Sequence, residues 1–283
     1  MTPEREMGRR PYWHVDAKWV IGLILWFVVS ATLLLWNLVL VTEPEPAMNT
    51  IGRAMALAFG SRAPNQDAQV AELVRTLHAT PDQSIQPVPG LRIALRYQDI
   101  ADLPPQQVRL YIFHQLAEPA YLGGVQELAL LVDDGQVKAG IQDNKTLLDF
   151  FTLQTHQGLQ GDLVAAAAIS LFLMIPLILF SARFGRIGSP GVLLLTVSLP
   201  GALVSSLMGM FSERIMAASA VTAGNPANLP TYLVSNAVAP LAQSAVQSYL
   251  AVAAFGLGLV FVAVMGNFIS WIYMRRHPER VRE

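Results

Sequence analysis

The chain has 283 residues, is 53% hydrophobic and 14% charged, and carries a formal charge of −1. A water-soluble surface needs about a quarter of its residues charged, and a near-neutral chain offers no basic stripe for nucleic acid. Cysteine is absent, which excludes a disulfide framework, a thiolate nucleophile and Cys-based metal sites.

Residues 1–18 are polar and mildly basic. They lead into an uncharged run, Trp19–Val41, flanked by Tyr12, Trp13 and Trp19 at the depth where aromatic rings meet lipid headgroups. The run exceeds the apolar core of a cleavable signal, roughly 7 to 15 residues. Because TEPEP follows it, it reads as a retained signal-anchor helix, TM1 (19–41). Asn37, near its far end, suits interfacial hydration or a hydrogen bond between helices.

Residues 42–162 form the polar part. Met48–Phe59 and Asn65–His78 have helical spacing of apolar residues. The segment PDQSIQPVPG is a turn-rich connector, and Leu91–Tyr97 alternates like a short strand. Prolines 104 and 105 open a helix expected over Pro104–Glu118, ended by Pro119 and the Gly123-Gly124 pair. VQELALLV follows, closed by a turn at Asp133-Asp134-Gly135. A further helix, capped by Asp143 or Asn144, runs through KTLLDFFTLQTH toward the membrane.

From Leu163 to Met274 the chain holds only four charges: Arg183, Arg186, Glu213 and Arg214. About 20 apolar residues cross about 30 Å of hydrocarbon, so this stretch holds three more spans. TM2 is 163–182, kinked at Pro176, where proline frees a carbonyl four residues back. A loop at 183–189 leads to TM3, 190–223, with a Ser189-Pro190 cap and Pro200 in its middle. At 34 residues TM3 would measure about 50 Å, so its end is expected to project beyond the bilayer. The helix stop is Gly224-Asn225-Pro226. Residues 224–247 form the other arm of a projecting hairpin packed on the polar domain, with a re-entrant segment over 229–242 as the rival. TM4 is 248–274, and 275–283 is a basic tail.

Lys and Arg near span ends set orientation. The termini and the 183–189 loop hold ten basic and five acidic residues; the opposite side holds nine basic and fifteen acidic. Arg183, Arg186, Arg275 and Arg276 are the informative ones. Both termini are therefore expected in the cytoplasm, with 42–162 outside a plasma or inner membrane. The expected fold is membrane all-α: a four-transmembrane-helix bundle with a mainly helical (minor β) extracytoplasmic domain inserted between spans 1 and 2.

Apart from Glu213 and Arg214 in the projecting end of TM3, the spans contain no Asp, Glu, Lys, Arg or His, the usual mark of ion pathways and intramembrane catalysis. Small residues at four-residue spacing, Gly201, Ser205 and Gly209 in TM3 and Ala254, Gly258 and Gly266 in TM4, let helix backbones approach. They pack either within the chain or against another subunit. His114 and Glu118 share a helix face but lack HExxH and a third ligand; a local helix hydrogen bond accounts for them. Asn144-Lys145-Thr146 matches a glycosylation sequon at chance frequency.

The layout of one span, an outer domain and three spans is similar to that of the permease subunits of FtsX-like and MacB-like ABC systems. No residue motif carries the likeness, and RFGRIGS offers little surface for an ATPase. The expectation is thus a non-catalytic accessory or scaffold subunit of a larger membrane complex, without cofactor or metal. Its partners would be other membrane subunits or a second copy, and the bilayer, with no nucleic acid. A permease-like subunit or an extracytoplasmic ligand sensor are the alternatives.

Overall fold

The structure, a computed structural model, describes residues 13–59, 67–80, 84–87, 92–133, 135–143, 145–181, 184–221 and 228–276. These are almost entirely helical. In order come α1 (Trp13–Thr42), α2 (Pro44–Phe59), α3 (Asp67–Ala79), β1 (Ser84–Ile85), β2 (Leu95–Arg96) and α4 (Tyr97–Ile100). Then follow α5 (Pro105–Leu130), α6 (Gly135–Asp143), α7 (Lys145–Phe150), α8 (Leu153–Leu179), α9 (Gly185–Val221) and α10 (Leu229–Arg276). Parts of four helices are long and apolar enough to cross a membrane: Ala17–Thr42, Leu153–Leu179, Gly185–Ser212 and Leu229–Tyr273. This is a multi-pass membrane protein.

The chain forms two compact units, one drawn from residues 1–34, 163–203 and 246–283, the other from 35–162 and 204–245. In the first unit, Leu25 and Val29 of α1, Leu177 of α8 and Leu193 and Val197 of α9 make a small apolar core. Thr32 Oγ1 donates to Val28 O at 2.8 Å, so the Ser170 hydroxyl, 3.1 Å away, donates to Thr32 and ties α1 to α8. Such bonds average about 0.6 kcal/mol within membranes. They orient helices more than they hold them.

The second unit is built on α2 against α5. Prolines 44 and 46 fall in the first turn of α2, where no intrahelical donor is lost, and Glu45 there complements the positive end of the helix. Gly52 lets α2 settle on the α5 backbone: a Cβ at Gly52 would lie 3.6 Å from His114 N. Ile51, Met55, Ile112 and Leu116 fill the interface, all fully buried. The opening turns of α10 contribute Leu229, Tyr232, Leu233 and Ala237 to the same core. Residues 229–242 are regular helix, continuous with the rest of α10.

Several boundaries differ from expectation. The helix expected over Pro104–Glu118 runs past Pro119 and breaks at Gly124, within the glycine pair expected to help end it, with φ 65° and ψ −150°; a second helical stretch continues to Leu130. Pro119 is tolerated because the residues beyond it, Ala120 and Tyr121, are buried in the core. The expected strand shrinks to Leu95–Arg96, paired antiparallel with Ser84–Ile85. Its first half is held otherwise: Arg92 N donates to Leu131 O at 2.7 Å and its guanidinium pairs with Asp133 at 2.7 Å. The helix through KTLLDFFTLQTH is two helices, α7 and α8, parted at Thr152. Thr152 Oγ1 accepts from Thr155 N at 3.3 Å, an N-cap that starts α8 ten residues ahead of the expected span. Pro190 sits inside α9, which begins at Gly185. The 1–12 part of the N-terminal tail, Asn144, Arg183, the stop at 224–226 and the 277–283 part of the C-terminal tail lie outside the described residues.

Gly124 occupies backbone space open in practice to glycine alone, and a Cβ there would also meet Asp149 Oδ1 at 2.8 Å. Gly124→Ala is expected to cost about 1–3 kcal/mol. Gly158→Ala, where a Cβ meets nothing within 4 Å, should be neutral or stabilising. Thermal unfolding of both variants in one mild detergent measures the contrast.

Candidate functional site

The small residues of α9 and α10 are the first candidates, and the structure divides them. In the first unit Gly201 faces Tyr249, whose ring a Cβ would overlap, and Gly266 faces Phe184 in the same way. In the second unit Ser205 is buried, and a Cβ on Gly209 would lie 3.8 Å from Ala242 Cβ. Ala254 and Gly258 instead are exposed, and a Cβ on Gly258 would meet nothing within 4 Å among the described residues. Their i, i+4 spacing is real, but a step of four residues turns 400°, so the row drifts around the helix.

The closest helix crossing in the first unit is elsewhere. A Cβ on Gly191 would meet Gly256 O at 2.8 Å, and one on Gly256 would meet Gly191 O at 2.9 Å. Gly188 lies opposite Ala263, where the built Cβ is 3.1 Å from Ala263 Cβ. On α10 the contacting positions are Tyr249, Gly256, Ala263 and Gly266, separated by sevens and a three, which is the period of a helix seam. The sequence signal for Gly256 and Ala263 was that seven-residue step. Which glycine of α9 meets which of α10 depends on the register between helices, which one helix's periodicity does not encode.

The second unit holds a polar trio in which Thr42 and His156 are buried and Gln160 is exposed. Thr42 Oγ1 donates to Leu38 O at 2.9 Å and lies 3.0 Å from His156 Nδ1; Gln160 Nε2 lies 2.9 Å from His156 Nε2. A hydroxyl has one hydrogen. With Thr42's directed at Leu38 O, Nδ1–H of the imidazole donates to Thr42, and Nε2 accepts from the Gln160 amide. Both ring nitrogens are thus satisfied. Tyr121 donates its hydroxyl to Thr42 O at 3.2 Å. Burial, with Glu43 nearby, pushes that phenol above its ordinary range.

His78 and His114 stand apart from the trio. His78 packs edge-on to Tyr97 at 4.8 Å, and His114 is half-buried on α5 beside exposed Glu118. Among the described residues no three His, Cys, Asp or Glu side chains converge as a metal site. Asn37 is buried. Arg186 Nε donates to Ser181 O at 3.3 Å, and the Arg275 guanidinium lies 4.9 Å from the centre of the Trp271 ring.

Two clefts lie among the described residues. In the second unit α1, α2 and α10 line a small one of about 250 Å³, with Asn49, Thr50, Arg53, Asn236 and Ser244 on its walls. In the first unit α1, α8 and α9 line a larger, mainly apolar one of about 950 Å³ with Lys18 at its edge. Compared with protein-family models, curated protein sequences and solved structures, the chain matches none.

The seam gives a direct expectation. Gly201→Leu should destabilise the chain by about 1–3 kcal/mol through overpacking against Tyr249. Gly258→Leu should change it by less than about 0.5 kcal/mol. Thermal unfolding of the isolated chain in detergent distinguishes the two positions.

Proposed function

We propose that the protein is a non-catalytic integral membrane subunit, an accessory or scaffold component of a larger membrane protein complex. The observation that carries this reading is the outward face of α10 at Ala254 and Gly258, bare of neighbours within the chain. Without a hydrophobic force between helices in lipid, association depends on close van der Waals contact, and small residues on an exposed face provide it. The absence of Asp, Glu, Lys, Arg and His from residues 19–41, 163–182, 190–211 and 248–274 supports it by leaving little for ion coupling or intramembrane catalysis to use. No cofactor is invoked.

On this reading both termini and the α8–α9 connection are cytoplasmic, and residues 42–162 are an extracytoplasmic domain in a plasma or inner membrane. The excess of Lys and Arg at 1–18, 183–189 and 275–283 supports that orientation. Because the chain has no native cysteine, single introduced thiols report on it cleanly. Gln126→Cys should react with a membrane-impermeant maleimide on intact cells, and Ile187→Cys only after permeabilisation; the reverse pattern would invert the assignment.

The subunit reading itself is tested by mild-detergent extraction from native membranes, native-gel separation and mass spectrometry of the comigrating band. Stoichiometric membrane partners are expected, and Gly258→Leu should deplete them at unchanged expression. Isolation as a lone chain would reject the reading. A comigrating cytoplasmic ATPase would replace it with the permease-like alternative. A second reading, an extracytoplasmic ligand sensor, draws on the small cleft bearing Arg53, Asn49 and Asn236. A thermal shift of the full chain by small carboxylates or phosphate, lost in Arg53→Ala, would favour it.

A further inference from the structure

We propose that the large cleft between α1, α8 and α9 is a binding site for one acidic phospholipid, with acyl chain in the cleft and headgroup phosphate at Lys18 and Arg186. This stands apart from the subunit reading and does not depend on it.

Three observations carry it. The cleft holds about 950 Å³, at the upper end of the roughly 300–1,000 Å³ of ligand pockets. Its walls, including Trp19, Phe27, Leu177 and Phe180, are apolar, and Ser189 and Thr196 add only hydroxyls. A cavity so lined within a membrane span is filled by hydrocarbon, not by water.

Its mouth is at headgroup depth. Lys18 is the last charged residue before the uncharged run, and Trp19 beside it is 76% exposed, as a ring at the membrane interface should be. Gly185 and Gly188, which bracket Arg186, line the same cleft. Chain length and depth thus fit a lipid lying in its ordinary orientation.

Among the described residues, Lys18 is the one charged residue in the lining, and neither it nor Arg186, which lies between the lining residues Gly185 and Gly188 in sequence, forms an ion pair. Arg186 is steadied by its Nε bond to Ser181 O at 3.3 Å. Basic pockets between membrane helices select acidic headgroups for this reason, so the shape selects a lipid and the cations select its charge.

The test uses the full-length protein, delipidated in mild detergent and offered phosphatidylglycerol or phosphatidylcholine with identical chains, with bound lipid counted by native mass spectrometry. One phosphatidylglycerol should be retained in preference to phosphatidylcholine. Combining Lys18→Ala with Arg186→Ala should lower that preference on the order of fivefold per cation removed. Gly22→Leu fills the cleft without moving backbone, since a Cβ at Gly22 meets only Leu177 Cδ1, at 3.9 Å; it should abolish retention of both lipids while thermal unfolding stays cooperative. Equal retention of the two lipids by the wild type, or undiminished retention by Gly22→Leu, would overturn the proposal. So would a partner's helix found seated in the cleft.

Discussion

Two helix backbones meeting at glycine are the constraint on which the first unit depends. Gly191 and Gly256 present carbonyl oxygens to one another's α-carbons so closely that a single methyl on either would come within 2.9 Å of the other's backbone oxygen. Hydrocarbon gives apolar helices no reason to associate beyond the quality of their contact. Removing the side chains at the crossing raises that quality by bringing whole backbones within van der Waals range. The pairs along the seam, Gly188 with Ala263, Phe184 with Gly266 and Gly201 with Tyr249, then alternate a large group with a void. α9 and α10 are complementary at those places because one supplies a ring where the other supplies none.

The spans were readable from sequence for an energetic reason. Each charge placed at bilayer depth costs about 2.5–3.5 kcal/mol even on permissive scales, so evolution leaves long charge-free runs that cannot be mistaken. Helix ends were less readable, because they depend on single hydrogen bonds. α8 begins at Leu153 because the Thr152 hydroxyl caps it, and glycines 158 and 161 do not interrupt it. Of the two stops the sequence offered for α5, the glycine pair at 123–124 breaks the helix and Pro119 does not. Proline costs a helix a donor, but burial of the flanking residues offsets that, whereas a positive φ has no substitute for glycine.

Of the candidate residues, the sequence could show which faces of a helix carry small side chains, but not which face meets the chain's own neighbours. Gly201 and Gly258 look alike in a periodicity argument; one faces Tyr249 and the other faces nothing. The Thr42, His156 and Gln160 trio was invisible for a different reason. Its members are 114 and four residues apart in sequence, and an isolated histidine gives no sign of its partners. The apolar cleft escaped for the same reason, since its walls come from three helices that sequence alone does not register.

The second unit is assembled from two pieces of chain, residues 35–162 and 204–245, and its core includes fully buried Tyr232 and Leu233 from the later piece. The order of synthesis therefore matters. When α2 and α5 have emerged, the surface that Tyr232 will cover is still open to water, and it stays open until the start of α10 has been made. Contacts so distant along the chain close slowly, and exposed apolar surface during that interval is where misassembly begins. A fragment ending before α8 would keep that surface bare permanently. The chain's shortest independently folding piece is thus longer than its polar segment: it must include the helix that arrives last.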